Sequence, residues 1–247
     1  MANATTPTLY FGYGSNLWQQ QMNLRCPTSE YLGVARLDNY RWMINDRGYA
    51  NVVQVDPSPS ADPSYANVVY GLVYSLQPSD EEELDINEGV PFAYTKEDLQ
   101  ISFWPKEKKD EPVDTHKTPK KQDMLVYIDR ERVIDSKPKH EYIYRMNMGI
   151  SDALKEGVPK DYVQEVMRNF IPPEHDDGLH DQALQQALAF KDERSICFKL
   201  LNLIIVEQEP PVRVNTFTIV AMTRSDRIAS KGLSQSIAIT PSCLPSL

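Results

Sequence analysis

The segment Asn67–Leu76, NVVYGLVYSL, constrains the fold most. It reads as the strongest strand in the chain, rich in β-branched and aromatic residues. Shorter β-prone segments flank it: Leu9–Gly12, Tyr31–Ala35, Tyr40–Ile44 and Ala50–Val55 before it, Tyr94–Trp104 and Met124–Ile128 after it. Polar turns separate them. Helical patterns are fewer. One opens at Leu17 with Ser15 or Asn16 as its N-cap; a second starts at Pro78 with an acidic first turn; Glu141–Glu156 and Lys160–Asn169 supply two more. Strands and helices that do not alternate as βαβ units predict an α+β fold or a small barrel.

Two stretches interrupt that pattern. Asp56–Ser64 holds three prolines and reads as a loop, and the lysine- and proline-rich Pro105–Asp123 reads as an exposed excursion. The strand-and-helix pattern ends near Pro173, which predicts one domain over 1–175. Residues 176–247 differ in composition, with Ser- and Thr-rich tracts and a Pro210-Pro211 break, and read as a poorly structured extension.

Composition excludes several classes. Thirty-five acidic against 26 basic residues give a net charge of −9, which argues against a nucleic-acid footprint or a basic membrane surface. Cys26, Cys197 and Cys243 form neither a disulfide framework nor a CxxC metal pattern. The polar N-terminus lacks an apolar leader core, and the longest apolar run, near Leu200–Val206, is too short to span a bilayer. A cytoplasmic protein is expected. His175, Asp176, Asp177 and His180 fit no metal template, and no GxSxG elbow supports serine hydrolysis. No metal and no cofactor are expected.

Two features carry chemistry. Tyr13-Gly14-Ser15-Asn16-Leu17 is a glycine-containing turn between strand and helix, which points backbone N–H groups and a helix N-terminus at one place and so makes a cradle for an anion. The plainer reading is a tight turn that needs glycine for its backbone angles. At the end of the acidic helix, Asp85-Ile86-Asn87-Glu88-Gly89-Val90 sets a carboxyl beside apolar residues, where its proton affinity rises and suits acid–base work. The plainer reading there is a solvent-facing glutamate before a Gly89 C-cap.

Together these features resemble a known family. YFGYGSNL (Tyr10–Leu17), ARL (Ala35–Leu37), GLVYSL (Gly71–Leu76), LDINEGVPFAY (Leu84–Tyr94), Pro138, Tyr142 and MGISDALKEGVPKDY (Met148–Tyr162) look like the γ-glutamyl cyclotransferases, in one collinear order over roughly residues 8–173. The resemblance implies a small mixed β-barrel flanked by helices. It implies that Tyr13, Gly14, Ser15, Asn16 and Leu17 bind the γ-glutamyl group, that Glu88 is the catalytic base, and that Tyr94 and Tyr142 line the pocket.

The implied reaction releases 5-oxoproline from γ-glutamyl amino acids, peptides or glutathione-derived adducts, with Glu88 acting first as base and then as acid. The implied partner is a small γ-glutamyl substrate, with a homodimer as a further expectation. Fungal members of gliotoxin-type biosynthetic pathways offer a glutathione adduct as one substrate version. The other class is a non-catalytic relative that binds a small metabolite or a protein. Asn87, where a glutamine commonly stands, and Pro91-Phe92-Ala93 depart from the family pattern.

Overall fold

The structure, a computed structural model, describes residues 6–57 and 64–173 together with Asp181 and Gln185. Its strands are β1 (Thr8–Gly12), β2 (Glu30–Asp38), β3 (Tyr40–Ile44), β4 (Ala50–Gln54), β5 (Val68–Leu76), β6 (Thr95–Pro105) and β7 (Lys120–Ile128). Its helices are α1 (Gln19–Arg25), α2 (Pro78–Glu88), α3 (His140–Glu156) and α4 (Lys160–Glu165). The expected domain limit near 175, the extension over 176–247 and the His175–His180 cluster lie outside the described residues, apart from the isolated Asp181 and Gln185.

Five strands close a barrel in the order β1-β5-β2-β6-β7. All neighbours are antiparallel except β1 and β7, which meet in parallel at Tyr10 and Leu125 and complete the ring. The expected fold, an α+β protein with a small mixed barrel and flanking helices, is the one observed. β5, the strand that stood out in the sequence, is buried along nearly its whole length because β1 and β2 cover its two edges. Phe11, Val34, Val69, Leu72, Val73, Leu76, Ile101, Val126 and Ile128 fill the core.

Several boundaries move for physical reasons. Lys120–Asp123, expected in the exposed excursion, extend β7 because β6 pairs with them from Phe103 to Gln100. The remaining loop is tied down by Trp104 Nε1 donating to the Lys117 carbonyl at 2.6 Å and by Val113 N donating to the Glu156 carbonyl at 2.8 Å. Ser15 and Asn16 do not cap α1. They lie in a 3-10 turn, Ser15–Leu17, and Trp18 is the N-cap residue. The Gln19 amide is satisfied instead by the Asp152 carboxylate of α3, at 3.1 Å. This long-range partner leaves the Ser15 and Asn16 side chains for other work.

α3 presses directly on that turn. A side chain at Gly149 would place its Cβ 2.9 Å from Leu17 Cβ and 3.0 Å from the Trp18 amide, so only glycine permits the approach. The hairpin β3–β4 forms its own two-stranded sheet. Asp129, at the end of β7 and 2% exposed, fastens that hairpin to the barrel. Its carboxylate accepts from Asn45 Nδ2 (3.1 Å) and Arg132 Nη1 (3.0 Å), and its backbone is clamped by the Asn51 side chain at 3.0 and 2.8 Å. Among the described residues no helix is long and apolar enough to cross a membrane.

Asp129→Ala removes the buried acceptor that Asn45 and Arg132 share, leaving Arg132 only its longer contacts to Asp46 and Glu131. The expected loss is about 3 kcal/mol of unfolding free energy in urea titration. A change within about 0.5 kcal/mol would contradict this role for Asp129.

Candidate active site

Closing the barrel places the turn after β1 against the C-terminal end of α2, 72 residues further along the chain. The contact is a hydrogen bond from Asn16 Nδ2 to Glu88 Oε1, at 3.1 Å. The Asn16 amide is fully used. Its nitrogen also donates to the Tyr10 hydroxyl at 2.8 Å, and its oxygen accepts from Gln21 Nε2 at 2.9 Å and Arg25 Nη1 at 3.2 Å. A primary amide has two protons and two lone pairs to offer, so its orientation is fixed from all sides. Gln21 also donates to Ser15 Oγ at 3.0 Å, linking the turn's two polar side chains.

These groups open onto a cavity lined by Tyr10, Tyr13, Gly14, Ser15, Asn16 and Glu88, by Arg25, Arg47 and Arg145, and by Tyr49, Ala50, Tyr94, Tyr127 and Tyr142. The water-accessible core of the cavity is about 40 Å³, room for a few water molecules, so it fits a compact polar group. Three guanidinium groups face one carboxyl across its walls. Arg25 and Arg145 are buried, 6% and 1% exposed. Arg145 reaches Ser15 Oγ and Gln21 Oε1, both at 3.4 Å. Arg47 comes from the β3–β4 hairpin, lies 5.3 Å from the centre of the Tyr94 ring, and has Asp129 behind it at 3.9 Å.

Two opposed forces act on Glu88. Burial, the larger, raises its proton affinity above the ordinary carboxylate value; Arg25, the Asn16 amide, Arg47 and Arg145 pull it down. The net direction is upward. Burial also pushes the hydroxyls of Tyr10, Tyr13 and Tyr94 well up, so all three stay protonated near neutrality.

The structure brings Tyr13, Gly14, Ser15, Asn16, Glu88, Tyr94 and Tyr142 around this one cavity. Leu17 is a correction: it packs into the core at 1% exposure, and its amide closes the turn on the Gly14 carbonyl at 2.9 Å. Of the expected cradle of turn amides, those of Ser15 and Leu17 are already bonded within the protein. Ser15 N donates to the Tyr142 hydroxyl and Leu17 N to the Gly14 carbonyl, while Arg25, Arg47 and Arg145 bring positive charge to the cavity walls. Gly14 has a negative φ, so backbone angles do not require glycine there. Close approach does, since a Cβ would lie 2.9 Å from the Tyr142 hydroxyl. The plainer reading of Glu88 was half right: Gly89 is a left-handed C-cap, yet the carboxyl beside it turns inward.

Sequence reasoning missed Tyr10, Arg25, Arg47, Tyr49, Ala50, Tyr127 and Arg145. One signal was available, because Arg145 follows Tyr142 by three residues and so shares its face of α3.

Known proteins share parts of this sequence and its fold. The profile of the AIG2-like family matches residues 68–166. The chain is 32% identical to the γ-glutamylcyclotransferase of Mus musculus over 89 residues, and to that of Homo sapiens over 83 residues. Each match covers 33% of this chain and 44% of the relative, so the chain spans less than half the length of the curated relatives it matches. A solved γ-glutamyl cyclotransferase superposes with a TM-score of 0.52 at 21% identity, over 72% of this chain and 98% of that one. The fold is therefore of the γ-glutamyl cyclotransferase type. The sequence matches and the fold agree in making this chain similar to the γ-glutamyl cyclotransferases.

The environment of Glu88 has a thermodynamic consequence. Its folded-state proton affinity exceeds the ordinary value of 4.5, so the folded protein keeps a proton that the unfolded chain releases as pH rises past 4.5. Stability therefore falls as pH climbs from there through the folded value. Glu88→Gln removes this loss. The variant unfolds at a higher temperature than wild type near about pH 7, and the gap closes towards about pH 4. A variant no more stable than wild type at the higher pH would contradict the assignment.

Proposed function

We propose that this protein is a γ-glutamyl cyclotransferase that converts small γ-glutamyl compounds into 5-oxoproline and a free amine. The observation that carries the proposal is the Glu88 carboxyl, inside a cavity of arginines and tyrosines, held by the side chain of Asn16.

A γ-glutamyl amide contains its own nucleophile, the α-amine, placed to close a five-membered ring on the γ-carbonyl carbon. The amine is protonated near neutral pH and inert until a base takes its proton. A carboxyl with raised proton affinity suits that task and the return of the same proton to the departing nitrogen. The arginine-rich wall beside Ser15 suits the substrate's α-carboxylate, since a buried guanidinium is a strong partner for a carboxylate. Holding the carboxylate there and the amine at Glu88 folds the substrate so that amine and carbonyl meet in near-attack geometry, which lowers the entropic part of the barrier. The chemistry asks for neither a cofactor nor a covalent intermediate. The substrate is the only small-molecule partner in this reading, with no nucleic acid or membrane involved, and a cytoplasmic homodimer is its remaining part.

A second reading, a non-catalytic binder of a small acidic metabolite, draws on the same surplus of arginine. The two separate on turnover. Wild-type protein is expected to release 5-oxoproline from at least one of γ-glutamyl-alanine, glutathione and a glutathione S-adduct. Glu88→Gln is expected to lower that rate by about 100-fold or more, at the usual size of general acid–base catalysis. A folded wild type that binds these compounds and turns over none of them would favour the binder.

A further inference from the structure

Tyr142 sits in the first turn of α3 with its hydroxyl lodged between the Ser15 turn and β4. Two backbone amides donate into its oxygen, Ser15 N at 3.1 Å and Ala50 N at 3.3 Å. A phenol oxygen accepts two hydrogen bonds and has one proton to give. With both acceptor positions taken by the backbone, the proton points away from the two amides, and it has no acceptor among the described residues.

The other tyrosines of the cavity differ. The Tyr13 hydroxyl donates to the Tyr127 carbonyl (2.6 Å), Tyr94 to the Ala50 carbonyl (2.9 Å), Tyr127 to Asp85 Oδ1 (2.6 Å) and Tyr49 to Glu141 Oε1 (3.4 Å). Their protons are spent within the protein. Tyr10 accepts the Asn16 amide that also holds Glu88, which assigns it to the carboxyl side of the cavity.

The placement of Tyr142 is itself built. Gly14 leaves the space that the hydroxyl occupies. The Arg145 guanidinium lies 5.0 Å from the centre of the Tyr142 ring, a cation that strengthens the phenol as a donor. Burial outweighs that effect on the proton itself, which stays on the oxygen at neutral pH.

We propose that Tyr142 is a catalytic residue whose hydroxyl donates a hydrogen bond to the γ-carbonyl oxygen of the substrate and stabilises the charge that develops there. The inference rests on the cyclotransferase reading. Once Glu88 has taken the proton of the α-ammonium, the α-nitrogen bonds to the γ-carbon and the carbonyl π pair moves onto oxygen. Tyr142 holds that oxyanion without transferring its own proton. When the oxygen pair returns, the bond to the leaving nitrogen breaks, and that nitrogen takes the proton from Glu88 and the second proton that the ring nitrogen sheds. Two backbone amides that lock the donor in advance supply the preorganisation such stabilisation needs.

The test compares wild type with Tyr142→Phe in the full chain, using γ-glutamyl-alanine for turnover and N-glutaryl-alanine for binding. The latter has no α-amine and cannot cyclise. Expected is a fall in kcat of about 100-fold or more, the size seen when one oxyanion donor is removed, with N-glutaryl-alanine affinity within about threefold of wild type. A kcat within about threefold of wild type, or a loss of binding that matches the loss of turnover, overturns the proposal.

Replacing Tyr142 by a difluorotyrosine provides a second measure should the phenylalanine variant fold poorly. Fluorination makes the hydroxyl a better donor and a poorer acceptor. A catalytic donor then gives a raised kcat, and an unchanged or lowered kcat marks a hydroxyl that serves only to accept the two amides. A wild type inactive on every γ-glutamyl substrate refutes the cyclotransferase reading, whereas an active wild type matched by Tyr142→Phe refutes the role of Tyr142 alone.

Discussion

The hydrogen bond from Asn16 to Glu88 is the joint on which the site depends. It links the first turn of the chain to the end of α2, and it forms only because β1 and β5 are neighbours in a closed barrel. The Asn16 side chain is gripped by Tyr10, Gln21 and Arg25, and its carbonyl by the Tyr74 hydroxyl at 3.0 Å. An asparagine so held cannot swing away, so the carboxyl it holds is fixed relative to the turn. A carboxylate placed by one rigid amide keeps the freedom to take up and release a proton.

The electrostatics follow from what surrounds that joint. Burial alone would make Glu88 a weak acid, and three nearby guanidinium groups restrain that tendency. Each guanidinium is anchored to a different element: Arg25 at the end of α1, Arg145 in α3, and Arg47 on the β3–β4 hairpin. Asp129 backs the last of these and couples the hairpin to the barrel end. The cavity is therefore a meeting point of helix, hairpin and barrel, and its charge balance depends on all three.

The sequence made the barrel legible because strand signals are local. β5 is a near-continuous apolar run that ends in a polar break, and the turn before α1 carries a glycine in the right place. The turn and Glu88 were legible as a pair because each has an unusual local composition and the family resemblance joined them. The arginines were hardly legible, Arg145 alone being marked by its place one turn after Tyr142. Arg25 and Arg145 lie in helices where a basic residue ordinarily faces water, and nothing within a helix's own sequence says that its polar face will be turned against a barrel. Arg47 reaches the site from a hairpin that belongs to a separate sheet. Leu17 misled for the opposite reason: it belongs to the motif in sequence, but the 3-10 turn rotates its side chain into the core. The glycine of the turn was read as a matter of backbone angle, and its cause is the hydroxyl of a tyrosine more than 120 residues away.

The central claim is that Glu88 is a carboxyl held in a poorly solvated cavity and poised to exchange a proton. Difference infrared titration tests it directly, with Glu88→Gln to assign the band. The account predicts a protonated-carboxyl band that is missing in the variant and titrates at a pH above the ordinary glutamate value of 4.5. A Glu88 band that titrates at or below that value would contradict it.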